Sequence, residues 1–273
     1  MLPEPLRGPD AVAAVELTGP RGTTVVVLGA SNVSRGLARL AAVARARAGG
    51  PVDLVVAAGH GRSYGVNSRV ALRRLPSILG SGLWRALDRD AAARPVALLT
   101  DIGNDLLYGF PARLVADWVG ECLRRLSDLG ARTAITRLPL ASVAAVGPAR
   151  YRAFRAVFVP GCRLSLAAVR EATAELDARI AALAGEHAAT LLEQPGDWYG
   201  LDPIHPHRRH LADLFHAAGD AWGLPRGSRR AAAGWREWAV LGSRAAEVRS
   251  LARRVRFTPQ PVIARDDLRV WMY

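Results

Sequence analysis

The stretch Val25–Gly36, VVVLGASNVSRG, does most to limit what this chain can fold into. Four apolar β-formers, Val25 to Leu28, run without a polar break into Gly29, Ala30, Ser31 and Asn32, and a helix-like pattern begins near Ser34. A half-exposed strand alternates apolar and polar residues. A run that is apolar at every position reads instead as a parallel strand buried on both faces by helices. In open sheets of this kind, chemistry gathers outside the carboxyl ends of the strands. Ser31 stands at such an end, with small neighbours and the N–H groups of a helix start beside it. It is a candidate nucleophile, and on this stretch alone equally a helix-capping serine or part of an anion-binding loop.

The same pattern recurs along the chain. Strands are expected at about 24–29, 52–58, 96–101, 132–137 and 189–194. The first helix ends at Gly49-Gly50, a favourable stop. Further helices are expected at about 67–79, 83–93, 112–129, 165–185 and 207–222. The fourth of these six carries a stripe of Leu114, Val115, Trp118, Val119, Cys122, Leu123 and Leu126 at the 3.6-residue period. Five strands alternating with helices predict a three-layer α/β/α domain with a parallel sheet and right-handed crossovers. It fills residues 23–223. Residues 1–22, rich in Pro, Gly and charge, read as a lead-in. Residues 139–164 read as irregular, and Tyr151, Phe154, Val157 and Phe158 make them either a cover over the substrate or a packed surface loop. Residues 224–273 fall outside the repeating unit and are expected to form a basic helical extension, packed on the domain or serving as an arm for a partner.

A chain of 273 residues with half of them hydrophobic can build one large domain plus an extension. The net charge of +13 comes entirely from arginine, since the 37 basic residues include no lysine. From Arg226 onward, 11 arginines face four acidic residues. With alanine and glycine also abundant, this bias reads as compositional, so nucleic acid is not the expected partner in spite of the charge. No apolar stretch approaches the roughly 18–20 residues of a membrane span, and no basic start followed by an apolar core marks a secretory leader. Two cysteines, Cys122 and Cys162, form no disulfide framework, and a reducing cytoplasm is expected. His205, His207 and His210 lack cysteines or carboxylates spaced to complete a metal shell. Neither a metal nor a cofactor is expected, and the sequence is silent on oligomeric state.

Four loops at strand ends hold groups able to cooperate. They carry Ser31, then Gly59, Gly61 and Gly65, then Asn104, and last Asp202 with His205. Serine needs a base to take its proton, and histidine suits that task. A carboxylate on the other ring nitrogen fixes the tautomer and steadies the imidazolium. Asp202 and His205, three apart in a turn-prone stretch held by Pro203 and Pro206, are deliverable by one loop. A tetrahedral oxyanion then needs donors. The Ser31 N–H, a glycine N–H of the second loop and the Asn104 amide are available.

The blocks GASN, GHG, GND and DPIHP, in this order and at strand ends, resemble those of the SGNH or GDSL-like hydrolases. The likeness covers roughly residues 23–220, and Arg137-Leu138-Pro139 is similar to thioesterase members. The resemblance implies a flavodoxin-like five-stranded sheet of order 2-1-3-4-5. It implies Ser31 as nucleophile, His205 as base and Asp202 as its orienting partner, with Gly61 and Asn104 completing the oxyanion hole. It implies a small-molecule ester or thioester as substrate. Two departures stand out. Ala30 replaces the family's aspartate, removing a carboxylate that ties the first block to its surroundings. The second block offers three glycines, of which Gly61 fits best and Gly59 and Gly65 are fallbacks. The competing reading is a non-catalytic binding protein whose basic tail holds nucleic acid or a protein.

Overall fold

The computed structural model describes residues 22–88, 94–225, 234–243, 246–251 and 254–273. The expected lead-in lies outside the described residues apart from Gly22, as does the 89–93 part of the helix expected over 83–93. In chain order, β1 (Thr23–Leu28) leads into α1 (Ser31–Ala48), and β2 (Val52–Ala57) is followed by the strands β3 (Ser68–Val70) and β4 (Arg73–Leu75) and by α2 (Leu83–Asp88). Next come β5 (Val96–Leu99), the short α3 (Asn104–Leu107), α4 (Ala112–Asp128) and β6 (Arg132–Thr136). Then α5 (Leu140–Ala144), α6 (Pro148–Phe158) and α7 (Leu166–Glu186) precede β7 (Thr190–Leu192). After α8 (Arg208–Ala221) and α9 (Trp235–Ser243) the chain ends in β8 (Val248–Leu251), β9 (Arg254–Phe257), β10 (Ile263–Ala264) and β11 (Leu268–Met272).

The central sheet runs β10-β11-β2-β1-β5-β6-β7. Every neighbouring pair is parallel except β10 with β11. β1 lies inside it and is apolar on both faces because both are covered. Val25 and Val27 pack with Leu37 and Leu40 of α1 and with Leu211 and Phe215 of α8. Val26 and Leu28 face the other way, onto Val115 and Leu123 of α4 and Leu176 and Ile180 of α7. The side-chain period of two on the strand meets the helical stripes on either side, which is what closes an α/β/α sandwich. The parallel strands therefore all deliver their carboxyl ends to one edge of the sheet, where the four loops meet.

The sheet contains the five expected strands, but it has seven strands rather than five. The two additions come from residues that the sequence pattern assigns to a helical extension. Of that extension, α9 is a helix, whereas β8 to β11 are strands. β11 pairs in parallel with β2, from Leu268 opposite Val52 to Met272 opposite Val56. Its Leu268 and Val270 enter one core layer and Trp271 the other. The register is locked by Arg269, which donates two 2.6 Å hydrogen bonds to the buried Asp53 carboxylate of β2. Burial of these apolar residues against an edge that would otherwise lie open overrides the local helical reading.

Two further corrections are local. The helix expected over 67–79 is instead a β3–β4 hairpin. Its turn at Ala71 takes a φ of +51°, and β4 is held by β8 in a second, antiparallel sheet of order β3-β4-β8-β9. The stretch expected to be irregular over 139–164 contains α5 and α6. They bury Val143, Val146, Tyr151 and Phe154 in a small satellite core with Val169 of α7. Among the described residues no helix is long and apolar enough to cross a membrane.

Candidate active site

Ser31 is the first residue of α1, directly after β1. Position 30 offers no side-chain cap, because it is alanine. The cap arrives from the neighbouring strand instead. Asp101, just past β5, accepts the Ala30 N–H at 2.7 Å, the Asn32 N–H at 3.0 Å and the Asn32 side-chain amide at 2.6 Å. The Ser31 N–H between them has no partner among the described residues. Asp101 reaches this place with a φ of +60°, a left-handed conformation that aspartate tolerates better than most side chains. A carboxylate at a helix start also meets the positive end of the helix dipole.

The Asn32 amide donates a second hydrogen bond, 3.2 Å, to the Ile204 carbonyl. This joins the loop bearing Ser31 to the loop bearing His205. That second loop is shaped by Asp202, whose Oδ1 accepts the N–H groups of Ile204 and His205, both at 3.1 Å, an Asx-type turn. It is further held by a hydrogen bond from the Ser142 hydroxyl of α5 to the Pro203 carbonyl and by the His207 N–H on the Trp198 carbonyl.

These supports bring the reactive groups together. Ser31 Oγ lies 2.8 Å from His205 Nε2, and His205 Nδ1 lies 2.6 Å from Asp202 Oδ2. Serine and histidine are 174 residues apart in the chain. Burial pushes the Asp202 carboxyl up, but the hydrogen bond and charge of His205 and the two backbone N–H groups outweigh it, leaving the carboxyl below its ordinary range. Asp202 is therefore an anion aimed at Nδ1, which keeps the proton there and leaves Nε2 as the acceptor for the serine hydroxyl. The Phe158 ring lies 5.9 Å from the His205 ring, so the segment expected either to cover the site or to pack as a surface loop reaches the imidazole.

The expected donors occupy the loops around this chain. Asn104 opens α3 and lines a cavity of about 60 Å³ with Asn32, Leu107, Val143, Tyr199 and Ile204. Its amide has no hydrogen-bond partner among the described residues. Gly61 has a φ of +68°, and a Cβ there would lie 2.6 Å from Val70 and 2.9 Å from the Tyr108 hydroxyl. That hydroxyl donates to the Gly61 carbonyl at 3.0 Å, and Arg73 donates at 3.1 Å to the His60 carbonyl, which shares its peptide with the Gly61 N–H. Of the two fallbacks, Gly65 has its N–H bonded to Ser63 Oγ at 3.2 Å and is packed against Trp118, so it is not free to donate. Gly59 is a close-packing position against Leu75.

The loop after β2 also carries His60 and Arg62, and the site includes Asp101, for which the sequence pattern gives no role. Arg62 is wholly buried, and its guanidinium donates to the carbonyls of Ala58, Pro76 and Tyr273; it is a structural tie. His60 lies within the field of His205, and burial with the nearby Arg73, His205 and Arg35 holds its imidazolium below the usual range. Asp101 carried one signal: a carboxylate two residues past the strand that lies beside the serine's own strand. The three nearby histidines do not converge, since His210 stacks on Trp198 and pairs with Asp213.

Fold and site together define a three-layer α/β/α protein with a Ser–His–Asp hydrogen-bond chain at the carboxyl edge of its sheet. Among solved structures, the chain is similar to the psychrotrophic esterase EstA from a Pseudoalteromonas species, at 16% identity over 73% of this chain and 96% of that one, with a TM-score of 0.43. It is similar to TesA at 16% identity, over 73% and 97%, with a TM-score of 0.45. It is also similar to a lipolytic protein of the G-D-S-L family from Veillonella parvula, at 14%, over 72% and 95%, with a TM-score of 0.43. A further solved chain matches at 13% identity over 73% and 96% with a TM-score of 0.51, a likeness of fold. No protein-family model and no curated protein sequence matches the chain.

Proposed function

We propose that the protein is an SGNH-type serine hydrolase that cleaves an ester or thioester of a small molecule through an acyl-Ser31 intermediate. The observation that carries this reading is the continuous hydrogen-bond chain from Ser31 Oγ through His205 to Asp202, mounted at a helix start. As Ser31 Oγ attacks the carbonyl carbon, its proton passes to His205 Nε2, and Asp202 stabilises the imidazolium. The carbonyl oxygen becomes an oxyanion and accepts hydrogen bonds from the Ser31 N–H, the Gly61 N–H and the Asn104 amide. His205 returns the proton to the leaving alcohol or thiol. A water then gives its proton to His205, attacks the acyl carbon, and the bond to Ser31 breaks with the proton returning to Oγ. Residues 23–223 carry every group of this scheme.

The small cavity beside Asn104 suits a short acyl group. Two buried free thiols, Cys122 and Cys162, suit a cytoplasmic setting. The test is labelling by a fluorophosphonate together with hydrolysis of p-nitrophenyl acetate and of its longer-chain analogues. Ser31→Ala is expected to lose both labelling and turnover with an unchanged melting temperature. Turnover retained by the folded variant would sink the assignment.

A further inference from the structure

A second cleft, of about 360 Å³, adjoins the segments that carry Ser31 and His205 and is lined by Arg35, His60, Arg73, Arg208, Trp238 and Arg249 among others, with no acidic side chain among its lining residues. Its position follows from chain geometry. Arg35 lies one helical turn past Ser31 on α1, Arg208 lies three residues past His205, and His60 adjoins Gly61. The cavity beside Asn104 takes its walls from Asn32 and Ile204 instead. Each cavity thus borrows one wall from the segment carrying the serine and one from the segment carrying the histidine.

Four arginines elsewhere are matched by carboxylates, Arg45 by Glu237, Arg47 by Asp220, Arg137 by Asp177 and Arg269 by Asp53, and the buried Arg62 is satisfied by three carbonyls. In the cleft, Arg35 donates to the Asn32 side-chain oxygen and Arg73 to the His60 carbonyl, while Arg208 lies 5.9 Å from the Trp238 ring centre. Arg249 Nε is buried and has no partner among the described residues. Burial lowers the pKa of Arg73 first, and the facing charge of Arg249 lowers it further. Four guanidiniums from four separate elements converge with no carboxylate lining the cleft, and Arg35 lies in the field of Asp202 and Asp101. Guanidinium forks match the oxygens of a phosphate two at a time, and a dianion answers several of them at once.

Resting on the hydrolase reading above, we propose that this cleft binds a phosphate group carried by the leaving alcohol or thiol of the substrate, with the acyl group in the cavity beside Asn104. The experiment compares 1-acetylglycerol 3-phosphate, 1-acetylglycerol and acetylated glycerate as substrates of the intact protein. Pyrophosphate serves as inhibitor and, by calorimetry, as ligand. The phosphate ester is expected to be preferred over its neutral counterpart by about tenfold or more in kcat/KM, mostly through KM. Arg208→Gln with Arg249→Gln should collapse that preference and abolish pyrophosphate binding, leaving p-nitrophenyl acetate turnover and fluorophosphonate labelling unchanged. Arg208→Gln alone, at an exposed position, provides a second variant should the double one fail to fold. Equal kcat/KM for the phosphate and neutral esters, or a preference that survives both variants, overturns the proposal. A greater preference for acetylated glycerate overturns the assignment to phosphate. Absence of labelling and of all turnover overturns the hydrolase reading and, with it, the leaving-group role. Pyrophosphate bound by the wild type and lost in the variants would then still hold the cleft as an anion site.

Discussion

At the scale of single residues, the site depends on carboxylates with different tasks. Asp101 replaces the cap that Ala30 cannot supply, and it does so from the next strand with three hydrogen bonds. Asp101→Asn keeps a side chain that tolerates the left-handed backbone but trades one acceptor oxygen for a donor facing other donors. The expected result is a fall in kcat for p-nitrophenyl acetate of about tenfold to a hundredfold and a stability loss of about 1–3 kcal/mol, read by thermal denaturation. Asp105 is the second case. It is fully buried, accepts the Tyr64 N–H at 2.9 Å, and has its other oxygen without a partner. Burial raises its pKa to about 6, against the opposing hydrogen bonds of Ser63 and Tyr64. The folded protein therefore binds this proton more tightly than the unfolded chain does. The stability it contributes is complete below the ordinary carboxyl value of 3.8 and is lost as pH rises through about 6. Asp105→Asn removes that slope. Its stability relative to wild type should rise between about pH 4 and pH 7.5, by up to about 3 kcal/mol. Parallel pH dependence of the two proteins in urea titrations would refute this.

At the scale of elements, the edge strand β11 illustrates how one ion pair sets register. A slip of one residue would turn Leu268, Val270 and Trp271 each to the wrong face of the sheet. Arg269 guards against this by pairing with Asp53, which is 6% exposed. Arg269→Met keeps the bulk and strips Asp53 of the guanidinium. A buried carboxylate left in this way costs about 3–5 kcal/mol, so the variant should unfold at a markedly lower urea concentration than the wild type at pH 7. The loop after β2 shows the same economy of means. Gly61, Tyr108 and Val70 fit so closely that the β3–β4 hairpin, itself paired with β8, supports the proposed oxyanion donor.

At the scale of the whole molecule, the C-terminal residues are part of the domain that carries the site. They supply two strands of the central sheet and two of the smaller one. Arg73 and Arg249 of the cationic cleft stand on that smaller sheet. Removal of residues 224–273 is therefore expected to give insoluble or molten protein rather than an active core, because it bares the β2 edge and the apolar residues beneath β11. A soluble truncated protein with a sharp thermal transition and full turnover of p-nitrophenyl acetate would contradict this. Much of the architecture was legible beforehand. Unbroken apolar runs such as Val25–Leu28 and the α4 stripe are local periodicities, and a buried strand or a helix face imposes them within a few residues. The loop Asp202–His205 was legible because its proline-bounded turn and its two functional groups are adjacent in the chain. β11 was not legible, because its partner β2 lies more than two hundred residues earlier and its own pattern is short. The hairpin at 68–75 was misread for a related reason: three-residue strands carry too little periodicity to be told from a helix. Sequence by itself determined the five strands that alternate with helices over residues 23–223 and the side chains that stand at their ends, since sterics and burial act locally. The tertiary structure alone decided that Asp101 caps the start of α1, that Arg62 is a buried tie and that four arginines meet in a cleft with no acidic lining residue, because each of these depends on contacts between residues that only the folded chain brings within reach.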